Sequence, residues 1–216
     1  IRIVSQAARA ATSFGPMRIL AIRLRLIGDV VFTTPLLPAI KHRFPGSHLT
    51  YLVESSAAPV VQGNPHLDRV WVVAKTRGMT RVRDDLALAA AIRAHRFDLV
   101  IDLHGGPRGA WLTWASGAAT RVGYRTAGRS WMYTVAVPRT PDEAPRHSVQ
   151  NQWDLLAPLG IAPGSPDSHP VDMPDDVGAA SRVARRLDSL GISTDHPLIV
   201  IHVSAGNPFR RWPKDS

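Results

Sequence analysis

The sequence LRLIGDVVFTTPLL, residues 24–37, decides the fold of this chain. The residues before it, 18–23, form a short apolar run with the length of a buried strand. After it, apolar residues recur at helical spacing over residues 36–44. Gly28 and Asp29 therefore fall in the turn between a first strand and a first helix, where α/β proteins place their ligand sites.

The acid in this turn has two interpretations. In the first, Asp29 is a helix N-cap, and Thr33 and Thr34 only decorate the first helical turn. In the second, Asp29 faces the crevice at the end of the sheet and acts as a catalytic base. The spacing of the residues leaves both interpretations open.

Further strand-like runs alternate with helical patterns along the chain. The runs lie at 47–53, 69–73, 98–103, 121–124 and 131–137, and the helical patterns at 80–95, 109–116 and 147–159. This alternation predicts an α/β fold with a parallel, doubly wound sheet.

A second domain is predicted to begin near residue 176. Residues 160–174 are rich in proline, glycine and serine, which is typical of a linker. A charged helix follows at 176–190, and a buried strand is predicted at 197–203. The sequence therefore indicates a first domain at 17–175 and the first elements of a second domain at 176–216.

The composition favours acidic partners. Among the 216 residues, 26 Lys and Arg outnumber 17 Asp and Glu, which gives a net charge of +9. Such a surface suits nucleic acid, anionic lipid headgroups or phosphorylated sugars. The absence of cysteine excludes a disulfide framework and thiolate chemistry. The nine histidines show no metal-ligand spacing, so no metal site is expected.

A P-loop is not expected, although GYRTAGRS at residues 123–130 comes close to the pattern. Arg129 stands where a P-loop requires lysine. The residues that follow are predicted as a strand, whereas a P-loop opens a helix.

The loop after the strand at 98–103 offers a possible anion site. It reads DLHGGPRG, residues 102–109, and its glycines let backbone N–H groups approach an anion while Arg108 adds a forked cation. The alternative is a plain strand-to-helix turn whose glycines relieve steric crowding.

Three segments of the sequence resemble glycosyltransferase family 9, the heptosyltransferases of the lipopolysaccharide inner core. They are IGDVVFTTPLL at 27–37, DLHGGPRG at 102–109 and RRWP at 210–213. The resemblance implies a GT-B type enzyme with a Rossmann-like, doubly wound first domain that binds the acceptor. It places the general base on Asp29 and acceptor contacts on Gly28, His104, Gly105 and Arg108.

The same resemblance assigns residues outside these loops. His147 stands at the head of a helix where relatives contact the acceptor, and a structural role as a helix cap is the alternative. Asn151, one turn later, belongs to a run that departs from the family pattern. Ser204, Gly206 and Arg210 would contact the donor diphosphate.

The resemblance implies an inverting transferase that moves a heptose from ADP-heptose to the lipopolysaccharide core. It implies no metal or other cofactor, and a cytoplasmic protein that attaches peripherally to the inner membrane. No nucleic-acid partner is expected. The alternative is a non-catalytic, basic Rossmann-like module that binds nucleic acid or another anionic partner.

Two further expectations concern the ends of the chain. Residues 1–16 are expected to be an extension outside the fold, because relatives begin where Met17 stands. The 216-residue chain alone is expected to be inactive, because the donor domain would be represented only by its first elements.

Overall fold

The computed structural model describes residues 2–5, 16–139, 148–164, 168–193 and 197–201. The chain divides into two compact units, residues 1–174 and 175–216. None of the helices in the described part of the chain combines the length and apolar character needed to cross a membrane.

A seven-stranded sheet forms the centre of the first unit. Its strands are β1 (Arg2–Ser5), β2 (Arg18–Ile22), β3 (His48–Glu54), β4 (Arg69–Val73), β5 (Leu99–Asp102), β6 (Thr120–Tyr124) and β7 (Val135–Val137). Their order across the sheet is β1-β4-β3-β2-β5-β6-β7. All neighbouring pairs are parallel except β1 with β4. The predicted α/β fold with a parallel, doubly wound sheet is confirmed.

The sheet reverses its winding direction between β2 and β5. From β2 the chain adds β3 and β4 on one side, and it then returns to place β5, β6 and β7 on the other. Residues 19–22 of β2 and all of β5 are buried, as expected of central strands covered on both faces. A crevice opens beyond the carboxyl ends of two such strands.

Five helices accompany this sheet. They are α1 (Ile27–Val31), α2 (Leu36–Arg43), α3 (Gly78–Ala94), α4 (Pro107–Ala115) and α5 (Ser148–Asp154). One hydrophobic core contains α1 and α2 residues, together with Trp153 of α5. A second core contains Leu88 and Ile92 of α3 and Leu112 of α4, so α3 and α4 cover the opposite face of the sheet.

The first unit differs from the sequence predictions at four places. The helix predicted at 147–159 ends at Asp154, and a 3₁₀ turn follows at Ala157–Leu159. Residues 2–5 form β1 on the edge of β4, so the expectation that residues 1–16 lie outside the fold is wrong for these four residues. Gly28 and Asp29 lie in the short helix α1 and not in an open turn. The strand predicted at 131–137 covers only 135–137, because a 3₁₀ turn occupies Ser130–Met132.

The second unit contains the predicted charged helix, α6 (Val177–Ser189). The Asp176 carboxylate caps it by accepting the backbone N–H of Ala179 at 3.0 Å. The strand predicted at 197–203 is not formed over residues 197–201, whose apolar side chains are exposed. Residues 202 and 203 lie outside the described part.

Candidate active site

The crevice beyond β2 and β5 brings together two of the predicted loops. The residues after β2 lead into α1, which carries Gly28 and Asp29. The residues after β5 lead through His104 and Gly105 into α4, which carries Arg108. Because β2 and β5 are parallel neighbours, both loops leave the same edge of the sheet.

Asp29 is held at this edge by one of its two carboxylate oxygens. Its Oδ2 lies 2.8 Å from Arg23 Nη2 and accepts the backbone N–H of Leu26 at 3.3 Å. Its Oδ1 has no hydrogen-bond partner among the described residues. The side chain is 33% exposed, so part of the Asp29 carboxylate is open to the crevice.

Arg23 is a buried cation that the sequence analysis did not single out. Its side chain is 8% exposed, and its Nη1 donates to the carbonyl oxygen of Leu103 at 2.7 Å. The guanidinium therefore ties the loop after β5 to Asp29. A charged residue at the end of an apolar strand, six positions before Asp29, was the signal that could have identified it.

The interpretation of Asp29 as a helix N-cap is wrong, because Leu26 occupies that position. Asp29 is the third residue of α1 and accepts the N–H of Leu26, so it stabilises the start of the helix without being its N-cap. The threonine pair does not decorate a surface turn, because Thr33 and Thr34 are buried. Thr33 shares a hydrogen bond with the hydroxyl of Tyr51, and Thr34 accepts the backbone N–H of Asp172.

Asp102 organises the loop after β5. It is fully buried, and its Oδ1 accepts the backbone N–H groups of His104 and Gly105 at 3.0 Å each. Its Oδ2 accepts the hydroxyl of Tyr133 at 2.7 Å. Burial raises the pKa of Asp102, and these three donors oppose that shift. The carboxylate therefore holds the glycine-rich loop in one conformation.

Gly105 supplies the backbone geometry of this loop. Its φ of +73° lies in the left-handed region, where a side chain would be strained, and the Tyr124 ring packs beside its Cα. The Tyr124 hydroxyl donates to the carbonyl oxygen of Asn151 in α5. Asn151 thus contributes a backbone contact that supports the loop.

His104 is half-buried in the loop after β5. Burial is the main cause that lowers its pKa, and the charge of Arg23 lowers it further. The carboxylates of Asp102 and Asp29 act in the opposite direction. The negative charge of Asp29 therefore acts on His104, while the shared role of these two residues in acceptor binding stays a prediction.

Arg108 is bound to two carboxylates of the protein itself. Its Nε and Nη2 donate to Asp85 Oδ1 at 2.9 and 2.6 Å, and its Nη1 donates to Glu54 Oε1 at 2.8 Å. All three side chains are largely buried. Arg108 therefore links α4 to α3 and to the end of β3. Its predicted contact with an acceptor stays a prediction.

The remaining predicted site residues lie outside the described part of the chain. They are His147, Ser204, Gly206 and Arg210. Within the described ranges, no three His, Asp or Glu side chains come together in a way that could hold a metal ion. A cleft of about 700 Å³ beside α2 contains none of the predicted site residues.

Replacing Tyr133 with phenylalanine is expected to destabilise the first unit by about 1–3 kcal/mol. The change leaves the buried Oδ2 of Asp102 without its donor, and an unsatisfied buried acceptor costs about this much. Urea denaturation checks the value. Unchanged stability would contradict the role given to the Asp102 and Tyr133 pair.

This arrangement defines a Rossmann-like, doubly wound domain with an ion-paired carboxylate at its switch point. The family model described as "Glycosyltransferase family 9 (heptosyltransferase)" matches residues 86–216. This chain belongs to glycosyltransferase family 9.

Individual relatives agree with this assignment. The chain is 26% identical over 201 residues to lipopolysaccharide heptosyltransferase 3 of Escherichia coli strain K12, which covers 89% of the chain and 55% of that relative. It thus spans about half the length of the curated relatives it matches.

Solved structures show the same fold. The glycosyl transferase family 9 protein from Veillonella parvula DSM 2008 is 25% identical and has a TM-score of 0.75, over 94% of this chain and 58% of that chain. Escherichia coli heptosyltransferase WaaC with ADP is 25% identical with a TM-score of 0.56, over 69% of this chain and 49% of that one. These structural neighbours support the assignment of the fold to the GT-B type.

Proposed function

We propose that this chain supplies the acceptor-binding and proton-accepting half of an inverting heptosyltransferase. The observation that carries the proposal is the environment of Asp29. Arg23 holds its Oδ2, and no group among the described residues forms a hydrogen bond with its Oδ1. Asp29 stands at the switch-point crevice of a family 9 fold. That is where a general base must meet its substrate.

The proposed reaction is a single displacement. Asp29 Oδ1 takes the proton from an acceptor hydroxyl while the hydroxyl oxygen forms a bond to the anomeric carbon of the donor. The bond between that carbon and the donor diphosphate breaks, so the anomeric configuration inverts. Arg23 is a positioning residue, since it holds Oδ2 and keeps the carboxylate aimed into the crevice.

The proposed donor is ADP-heptose. Support comes from the relatives, which are named heptosyltransferases, and from the WaaC structures with ADP and with an ADP-heptose analogue. Ser204, Gly206 and Arg210 are proposed to contact the donor diphosphate. Cations and backbone N–H groups can stabilise that leaving group, so we propose that no metal or cofactor is required.

The proposed acceptor is the anionic inner core of lipopolysaccharide, bound by Gly28, His104, Gly105, Arg108 and His147. With such an acceptor, we propose that the protein acts in the cytoplasm, at the surface of the inner membrane. The relatives do not favour the nucleic-acid alternative. The crevice does not favour it either, since the carboxylates of Asp29, Glu54 and Asp85 offset its arginines.

A chimera tests the proposed function. This chain would be joined to the part of Escherichia coli lipopolysaccharide heptosyltransferase 3 that it does not span. We expect the folded chimera to transfer heptose from ADP-heptose to a heptose-deficient core acceptor, with mass spectrometry detecting the product. A folded chimera that hydrolyses or ignores the donor would contradict the proposal.

Replacing Arg108 with alanine is expected to raise the acceptor KM of the chimera roughly ten- to a hundred-fold. A charge-assisted contact contributes about 1.5–3 kcal/mol, and the donor KM should change little. Steady-state kinetics with each substrate varied in turn provide the measurement.

A second variant is needed because Arg108→Ala leaves two buried carboxylates unpaired, which is itself destabilising. Glu54→Gln removes one competing charge and keeps Arg108 in place. We expect it to lower the acceptor KM. An unchanged or raised acceptor KM in Glu54→Gln would show that Arg108 serves only the packing of α3 and α4.

A further inference from the structure

Helix α3 turns an apolar stripe away from the protein core. Its buried side is formed by Leu88, Ala89 and Ile92. On its outer side Met79, Val82 and Leu86 follow one another at spacings of three and four residues and are 83%, 53% and 57% exposed. A surface helix normally exposes polar residues there, so this face is unusual for a helix in water.

Exposed cations lie beside this stripe along the chain, and the neighbouring acid Asp84 is only half-exposed. Lys75 and Arg77 lie in the exposed segment that leads into α3, and Arg83 is exposed within the helix. The acid Asp85 lies on the inner side, where Arg108 binds it. The outer face of α3 therefore combines apolar side chains with positive charge.

Two exposed tryptophans continue this surface. Trp114 of α4 and Trp131 are 45% and 62% exposed, and their rings contact each other edge-on with centroids 5.7 Å apart. Since α3 and α4 cover the same face of the sheet, their outer sides belong to one surface. Tryptophan is the side chain most typical of a membrane interface.

We propose that this surface, formed by Met79, Val82, Leu86, Trp114 and Trp131, docks on a membrane that carries anionic lipid headgroups. Apolar and tryptophan side chains enter the interface, while the cations meet the headgroups. This inference rests on the proposed function in one respect: the proposed lipopolysaccharide acceptor brings the protein to a membrane. Because Asp85 of the same helix binds Arg108, docking would bring the crevice close to a lipid-anchored acceptor.

Vesicle binding by the 216-residue chain tests this inference without donor or acceptor. The vesicles contain phosphatidylcholine alone or mixed with phosphatidylglycerol, and bound protein is measured by flotation. We expect binding to the anionic vesicles that weakens as salt rises. The variant Met79→Ser with Leu86→Ser should bind roughly tenfold or more weakly, because two apolar side chains no longer enter the interface.

Met173→Ser is the matched control. Met173 is 51% exposed in the same unit but belongs to neither helix, so this variant should bind like the unchanged chain. Circular dichroism confirms that each variant is folded. Equal vesicle binding by all three proteins would overturn the proposal. So would a stripe variant that alters self-association, or capture of a protein partner, while leaving vesicle binding intact.

Discussion

Replacing Asp29 with asparagine is expected to reduce turnover of the chimera by roughly 10²–10⁴-fold, the contribution of a positioned general base. Asparagine keeps the size of the side chain, and its carbonyl oxygen can still accept the N–H of Leu26. It cannot accept a proton from the acceptor hydroxyl. The acceptor KM should change little, whereas loss of the negative charge beside the buried Arg23 should lower the melting temperature. Single-turnover kinetics on the folded variant measure the chemical step directly.

Asp68→Asn is the matched control for this change. Asp68 has a side chain 35% exposed, close to the 33% of Asp29, and forms an ion pair of 2.7 Å with Lys41. It precedes β4 and therefore lies at the opposite edge of the sheet from the crevice. We expect Asp68→Asn to affect stability and leave turnover unchanged. If Asp29→Asn behaves in the same way, Asp29 has only a structural role.

Replacing Gly109 with alanine is expected to destabilise the first unit by about 3 kcal/mol. A Cβ at this position would lie 2.7 and 2.8 Å from the carboxylate oxygens of Asp102, which three donors hold in place. Overpacking costs about 1–3 kcal/mol and a displaced buried hydrogen bond about as much. The higher helix propensity of alanine offsets only about 1 kcal/mol of this destabilisation. Differential scanning calorimetry should show a fall in Tm of roughly 6–12 °C.

Gly28→Ala separates packing from helix propensity. Gly28 also lies in a helix, but a Cβ there meets no atom within 4 Å. We expect this variant to be as stable as the unchanged chain or slightly more stable. If Gly109→Ala is equally well tolerated, the loop after β5 does not depend on the close approach of α4 to Asp102.

The parallel sheet was predictable because its central strands are uninterrupted apolar runs. Residues 19–22 and 99–101 are apolar and buried, and such runs are visible in a sequence. The positions of Asp29, His104 and Gly105 at one sheet edge followed from the strand-to-helix turns alone.

The partners of these residues could not be predicted, because they come from distant parts of the chain. Arg23 donates to the carbonyl oxygen of Leu103 across 80 positions, and Tyr133 reaches Asp102 across 31. The pairing of Arg108 with Glu54 spans 54 positions. Hydrophobic periodicity reports burial but not which charges meet. The apolar run at 197–203 was predicted as a strand. A strand also needs a neighbouring strand to pair with, and an apolar run does not show whether one is available.

Separate binding of the acceptor and of ADP, the nucleotide part of the donor, to the 216-residue chain tests the central claim most directly. The isotope-labelled chain is titrated with an anionic inner-core oligosaccharide and, separately, with ADP, while NMR follows the backbone amides. We expect the oligosaccharide to shift the amides of Asp29, His104 and Gly105, and ADP to leave these amides unchanged. No response to the oligosaccharide, or the same response to ADP, would contradict the claim that this unit binds the acceptor.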